Sequence, residues 1–192
     1  MNTRVRPPRA DTQHRFTNDD VQHLQAEGFF PNPKKIVLLD GVIHQMPHDG
    51  FRHVHWAMEI AARLMQVVKP QGCFVGVQTT LRLDRSNGPS PDVWVLKGAY
   101  APGDTPGDQI ALVIEVADTS LEDDLTDSAE RYARFGVGEY WVVDVENAVT
   151  HVHRAPVDGA YPAVVLVPFT EPLTPAALPG FTIRLADLAP AP

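Results

Sequence analysis

A single cysteine, Cys73, leaves the chain no intramolecular disulfide. That removes any reading as a disulfide-stapled secreted scaffold and fits a reducing cytosol. A zinc knuckle is excluded on the same count. No apolar run approaches the roughly 20 residues that span a bilayer. The stretch from Met1 to Arg9 carries arginines with no apolar core behind them, so it does not read as a signal peptide. These absences set the expectation of a soluble, cytoplasmic protein with no membrane partner. Positive charge is also short. The formal net charge is -8, which speaks against non-specific nucleic-acid binding by the whole surface but leaves room for a local basic groove. No lysine follows Lys97, and no glycine-rich phosphate loop of the P-loop or dinucleotide type is present.

What is there suits one folded domain. The 192 residues and an apolar fraction of 44% match a globular chain with a single core. Residues 1–15, rich in proline and arginine, read as a flexible tail, 16–187 as one domain, and 188–192 as a second tail. Thr17-Asn18-Asp19-Asp20 resembles a helix start, with a hydroxyl cap and acids in the first turn; that helix ends near Gly28, and Pro31 and Pro33 break the chain. Ile36–Leu39 reads as a strand, Asp40-Gly41 as a tight hairpin turn, and Val42-Ile43 as the return. Ala57, Ile60, Ala61, Leu64, Met65 and Val68 fall on one helical face.

Beyond Pro70 and Gly72 the period changes to two. Val75, Val77, Thr79, Leu81 and Leu83 alternate with Phe74, Gln78 and Arg82, which predicts one half-buried strand. Asp92 to Leu96 and Ile110 to Val116 are apolar runs suited to interior strands. Helical spacing returns over 123–135, followed by strands at 140–143, 149–152 and 164–167. The order predicts an α/β fold with a mixed central sheet flanked by helices. The proline-rich end either wraps the domain or dangles from it.

Two acids carry the chemistry. Asp92 follows Pro91 and opens a strand. Glu115 sits inside Leu112-Val113-Ile114-Glu115-Val116, on the face of Val113 and Ala117. A carboxylate in an apolar strand is costly unless it is paired, protonated or bound to a cation. Two carboxylates on neighbouring strands can share a hard ion such as Mg²⁺, and such an ion assists phosphodiester hydrolysis. The alternative on spacing alone is structural: Asp92 caps a turn and Glu115 pairs with an arginine. Glu122-Asp123-Asp124 reads most simply as acids stabilising a helix N-terminus. His44, His48, His53 and His55 fall within twelve positions, a spacing open to a transition metal but more usual for surface groups. His151 and His153 point to one side of a strand and read as exposed. Cys73 reads as a small apolar filler and Tyr140-Trp141 as core.

Taken in order, several short pieces resemble one family. They are Leu39-Asp40-Gly41, His53 before an amphipathic helix, Val77-Gln78, Pro91-Asp92-Val93, Val113-Ile114-Glu115-Val116 through Leu121, and Tyr132-Ala133-Arg134-Phe135-Gly136-Val137 with Glu139-Tyr140-Trp141-Val142-Val143-Asp144. The set is similar to the Uma-two family of restriction-type endonucleases, within the PD-(D/E)XK nuclease superfamily, over about 17–187. The resemblance implies a restriction-endonuclease-like core, a Mg²⁺ or Mn²⁺ site on Asp92 and Glu115, DNA as partner, and phosphodiester hydrolysis. It implies supporting roles beside the site for His53 and Gln78. Cutting both strands suits a homodimer.

Two positions depart from the family pattern. The superfamily's lysine two residues after the second acid falls on Ala117. In this family the lysine instead stands four residues after a helix aspartate, here Asp124, so its position falls on Ser128. Arg131, one turn further on, can substitute in charge but not in shape. The family's acid at the start of the first hairpin falls on Val37. Two functions are therefore expected in competition, a Mg²⁺-dependent DNA endonuclease or a binding or regulatory module on the same fold with its catalysis impaired at Ser128, with a metal-dependent hydrolase acting on something other than nucleic acid as a third.

Overall fold

The computed structural model describes residues 14–30 and 35–188. The breaks read at Pro31 and Pro33, nearly all of the tail expected over 1–15, and residues 189–192 of the second tail lie outside the described residues. Arg15 is docked: its Nη1 donates to the Asp40 carbonyl at 2.8 Å. Helix α1, Asn18–Ala26, starts where expected. Thr17 Oγ1 accepts from the Asp20 N–H at 3.1 Å, and the Asp20 carboxylate accepts from the Thr17 N–H at 2.8 Å. This reciprocal cap satisfies donors that have no partner within the helix.

Strands β1, Ile36–Leu39, and β2, Val42–Gln45, form the expected hairpin. Asp40 and Gly41 both have positive φ, 48° and 73°, as a two-residue turn matching strand twist requires. Helix α2, Phe51–Val68, buries Trp56, Ala57, Ile60, Ala61, Leu64 and Val68 on one stripe.

The main sheet has six strands in sequence order: β3 (Phe74–Val77), β4 (Val93–Leu96), β5 (Ile110–Ala117), β6 (Glu139–Asp144), β7 (Val149–Arg154) and β8 (Val164–Pro168). β5 and β6 run parallel, and every other neighbouring pair is antiparallel. A parallel pair needs a crossover. Residues 121–134 supply it as one helical segment, α3, made of α-helical Leu121–Asp123, a π-helical turn Asp124–Ser128, and α-helical Ala129–Arg134.

The sheet separates two apolar clusters. On one side α2 packs on Val93, Val95, Leu112 and Ile114. The C-terminal segment wraps the same side, burying Leu173, Leu178, Phe181, Ile183 and Leu185, so it does not dangle. On the other side α3 packs on Val113, Ala117, Tyr140 and Val142.

Two expectations fail. The strand read over 74–83 stops at Val77, because Gln78 takes φ 46° and turns the chain. Val75 then belongs to the α2 side, while Leu81 and Leu83 reach the α3 side. Alternation survives in the sequence, but the face it points to changes at the turn.

The histidines of β7 are not exposed. His153 is only 3% exposed, its ring lies 5.4 Å from those of both Tyr140 and Tyr161, and its Nε2 has no hydrogen-bond partner among the described residues. Burial, aided by the nearby His151, pushes its pKa down to about 4. The folded state therefore holds it neutral while the unfolded chain takes up a proton below about pH 6.5. Stability is expected to fall as pH drops from about 6.5 to about 4, by roughly 3 kcal/mol in full. His153→Phe should flatten that limb in thermal melts from pH 7 to 4.5. A limb of unchanged slope would show that His153 is not its source.

Candidate active site in the cleft at the N-terminus of α2

The sheet register brings the two acids together. β4 runs antiparallel to β5 with Val93 opposite Ile114, so Asp92, just before β4, comes beside Glu115. The Asp92 N–H donates to Glu115 Oε2 at 3.0 Å, and the Val116 N–H donates to Asp92 Oδ2 at 2.8 Å. Tyr132 of α3 donates from its hydroxyl to Glu115 Oε1 at 2.9 Å. Glu115 is thus held by neutral donors on both oxygens and Asp92 by the Val116 N–H on one of its own, which fixes the geometry of both acids. Neither expected structural role holds: Asp92 is not simply a turn cap, and Glu115 has no arginine partner among the described residues.

The other oxygen of Asp92 faces a cleft of about 410 Å³. His53, in the first turn of α2, sets its Nε2 2.8 Å from Asp92 Oδ1. Asp49, just before that helix, lies 3.9 Å from the same nitrogen. Ligand atoms of Asp49, His53 and Asp92 all lie within 4.8 Å of one another. Gln78 Nε2 donates to Asp49 Oδ2 at 2.7 Å, and the Gln78 N–H donates to the Asp92 carbonyl at 3.0 Å. The turn at Gln78 that ends β3 is therefore also what ties this residue to both acids. Lys35, just ahead of β1, brings Nζ to 4.0 Å from Asp92 Oδ1.

From the far wall, the π-helical turn of α3 presents Asp124 and Ser128 to the cleft. A π turn carries one more residue than an α turn, and such turns recur at functional sites. Asp124 is buried; its Oδ2 accepts from Ser120 Oγ at 2.6 Å, and its carbonyl accepts from the Tyr140 hydroxyl at 3.0 Å. The reading of Asp124 as a mere helix-start acid is corrected on this geometry.

The electrostatics follow from acids packed where water is scarce. Burial, then the charges of Asp92 and Asp124, drive the Glu115 carboxyl well above its usual range, and the Asp92 N–H and Lys35 only partly oppose this. Burial likewise raises Asp124 to about 6 against the hydrogen bond from Ser120. Burial pulls His53 down, but the Asp92 hydrogen bond and the charges of Asp92 and Asp49 outweigh it, and its pKa is raised. The cleft is thus short of positive charge. Its donors are carboxylate oxygens plus one imidazole, a set that fits a hard divalent cation.

Asp92, Glu115, His53 and Ser128 all line this cleft, and Gln78 joins it at one remove through Asp49. Among the four clustered histidines, His48 and His53 border the cleft. His55 stacks on Phe51 and borders a separate apolar hollow with Trp56 and Phe169, while His44 is exposed on β2. Sequence reasoning passed over Lys35, Asp49 and Tyr132. Asp49 stands in a polar loop with no periodicity to mark it. Tyr132 carried a signal, being seventeen residues after Glu115 on the buried face of a helix, but it reads as core.

Among solved structures, the chain is similar to a "putative nuclease belonging to DUF820" from Anabaena variabilis ATCC 29413, with TM-score 0.66, 17% identity, 84% of this chain covered and 95% of that one. At that identity the likeness shows the shared fold. No curated protein matches the chain significantly. No helix among the described residues is long and apolar enough to cross a membrane. The Uma2 family model, described as "Putative restriction endonuclease", matches residues 19–186, nearly the whole chain including every cleft residue named above, and the chain belongs to that family.

Proposed function

We propose that this cleft hydrolyses DNA phosphodiester bonds with the help of a Mg²⁺ or Mn²⁺ ion held by Asp92 and Glu115. The observation that carries the reading is the clamp itself. Two neighbouring acids are held in fixed geometry, Glu115 by the Asp92 N–H and the Tyr132 hydroxyl, and Asp92 by the Val116 N–H. Asp49 and His53 lie within reach of Asp92 on its open side and would complete or back the ion's surroundings. A divalent ion there supplies positive charge for the phosphodiester and lowers the pKa of water. His53 orients Asp92, and Gln78 holds Asp49 and the Asp92 backbone. We place the activity in the cytoplasm, where a single free cysteine persists reduced, and a pair of copies would let two clefts address two strands.

The test is supercoiled plasmid with purified protein and Mn²⁺ or Mg²⁺. Nicked and linear forms should appear with the ion and not in EDTA, and calorimetry should detect ion binding to the same protein. Neither binding nor nicking would end this reading.

One observation favours a second reading. Ser128, at the helix position facing the cleft, carries no charge, as expected of a binding or regulatory module that has lost catalysis. An inert wild type with activity appearing in Ser128→Lys would select that module.

A further inference from the structure

We propose that Lys35 supplies, from the mouth of the first hairpin, the positive charge that Ser128 does not. Its ammonium is assigned to the oxygens of the phosphodiester under attack. This rests on the hydrolytic reading above.

The chain has four lysines, and Lys35 is the one that lines the cleft among the described residues. Its position is set by the hairpin rather than by chance. Lys35, Val37 and Leu39 share one side of the strand by the period of two, and all three line the cleft. The Lys35 carbonyl accepts from the Met46 N–H at 2.8 Å, which extends the hairpin ladder to this residue. The side chain is 24% exposed and ends 4.0 Å from Asp92 Oδ1.

That distance is an ion pair without a hydrogen bond, and among the described residues Nζ donates to no acceptor. Three N–H donors and a full charge therefore stand beside Asp92, available to a third oxygen. Arg131 is the other permanent cation of the cleft. It also borders the neighbouring hollow with Asp40, Asp127, Glu130 and Arg134, and among the described residues it makes no ion pair with a cleft acid, whereas Lys35 stands 4.0 Å from Asp92.

The chemistry asks for this group. As water adds to phosphorus, negative charge builds on the non-bridging oxygens, and a fixed donor there lowers the barrier. One P–O ester bond breaks, its electron pair leaves on the alkoxide oxygen, and that oxygen takes up the proton lost by the attacking water. The products are a phosphomonoester and an alcohol. Lys35 keeps its proton throughout.

The test uses the full chain and reads two quantities of expected opposite sign. In Lys35→Met, Mn²⁺-dependent plasmid nicking should fall by about 100-fold, while Mn²⁺ affinity by calorimetry should hold or rise, because a repelling charge has left Asp92. A merely structural defect would weaken both together. Lys35→Arg should retain part of the activity. Lys35→Met combined with Ser128→Lys should recover at least about tenfold by returning a cation from the helix side. Wild-type nicking by Lys35→Met, or loss of Mn²⁺ binding in step with nicking, would overturn the assignment; activity lost instead in Arg131→Met would move it to Arg131.

If the wild type nicks nothing, the nuclease reading fails, and the anion assignment is then decided by binding. With a fluorescent duplex oligonucleotide in Ca²⁺, Lys35→Met should weaken binding and lower the salt slope by about one. Unchanged binding would reject Lys35 as a phosphate contact.

Discussion

Asp92→Asn is expected to keep the fold and to reduce metal-dependent nicking by about 10³-fold, with Mn²⁺ binding lost in calorimetry. The amide can repeat both hydrogen bonds. Its oxygen accepts from the Val116 N–H, now bonded at 2.8 Å, and its NH₂ donates to His53 Nε2, now 2.8 Å away. What disappears is the charge. Asp92 is the hub of the cleft, touching Glu115 through its N–H, His53 and Lys35 through one oxygen, and β5 through the other. Removing its charge also removes one of the forces that raise the Glu115 pKa, so the metal-free variant should melt no lower than the wild type. Retained nicking in Asp92→Asn would remove Asp92 as an ion ligand. A lower melting temperature with weaker nicking would mean only a damaged fold.

How much of this was legible in the sequence depends on the range of the physics. The hairpin turn at Asp40-Gly41 and the buried stripe of α2 are local, set by positive φ and by a period of 3.6, and both stand as read. Glu115 was legible because an acid in an apolar strand contradicts its surroundings, and its placement on the Val113 and Ala117 face follows from pleating alone.

Elsewhere the local signal misled. Leu81 and Leu83 keep the alternation of β3 although Gln78 has turned the chain, since a period of two does not record a change of face. His153 reads as polar and exposed because the rings packed on it, Tyr140 and Tyr161, are brought by β6 and a later loop. Asp124 follows two other acids at a helix start, where the dipole explains acids without any site. Its burial comes from a π turn that side-chain spacing does not reveal. Lys35 was invisible for a simpler reason: a polar residue before a strand has no partner in the sequence, and its partner, Asp92, stands just ahead of another strand far along the chain.

Glu115→Gln should produce the largest change in metal-free stability, and in a direction opposite to its effect on function. The folded pKa of Glu115 is raised, chiefly by burial and then by Asp92 and Asp124, whereas an unfolded glutamate titrates near 4.3. A group raised in the folded state contributes stability below its unfolded pKa, and that contribution is lost as pH rises toward the folded pKa. In EDTA the wild type should therefore lose stability from about pH 4.5 upward on account of this residue. Asp124, raised to about 6, adds a loss of the same sign over its own range. Glutamine cannot ionise. Its carbonyl can accept either from the Asp92 N–H, now bonded at 3.0 Å, or from the Tyr132 hydroxyl at 2.9 Å. Its NH₂ must then meet the other group, and of the two only the phenol oxygen can accept; the backbone N–H cannot.

The arrangement with oxygen toward Asp92 and NH₂ toward the Tyr132 oxygen satisfies both, and the variant should melt several degrees above the wild type in EDTA at pH 8. Adding Mn²⁺ should reverse the order. The ion offsets the buried charge of wild-type Glu115 and raises its melting temperature, while Glu115→Gln gains little because it has lost a ligand. Thermal melts at pH 5 and pH 8, each with EDTA and with Mn²⁺, decide the matter. If the two proteins respond equally to Mn²⁺, Glu115 does not hold the ion, and the carboxylate is buried for a structural purpose that the clamp by Asp92 and Tyr132 would then have to explain.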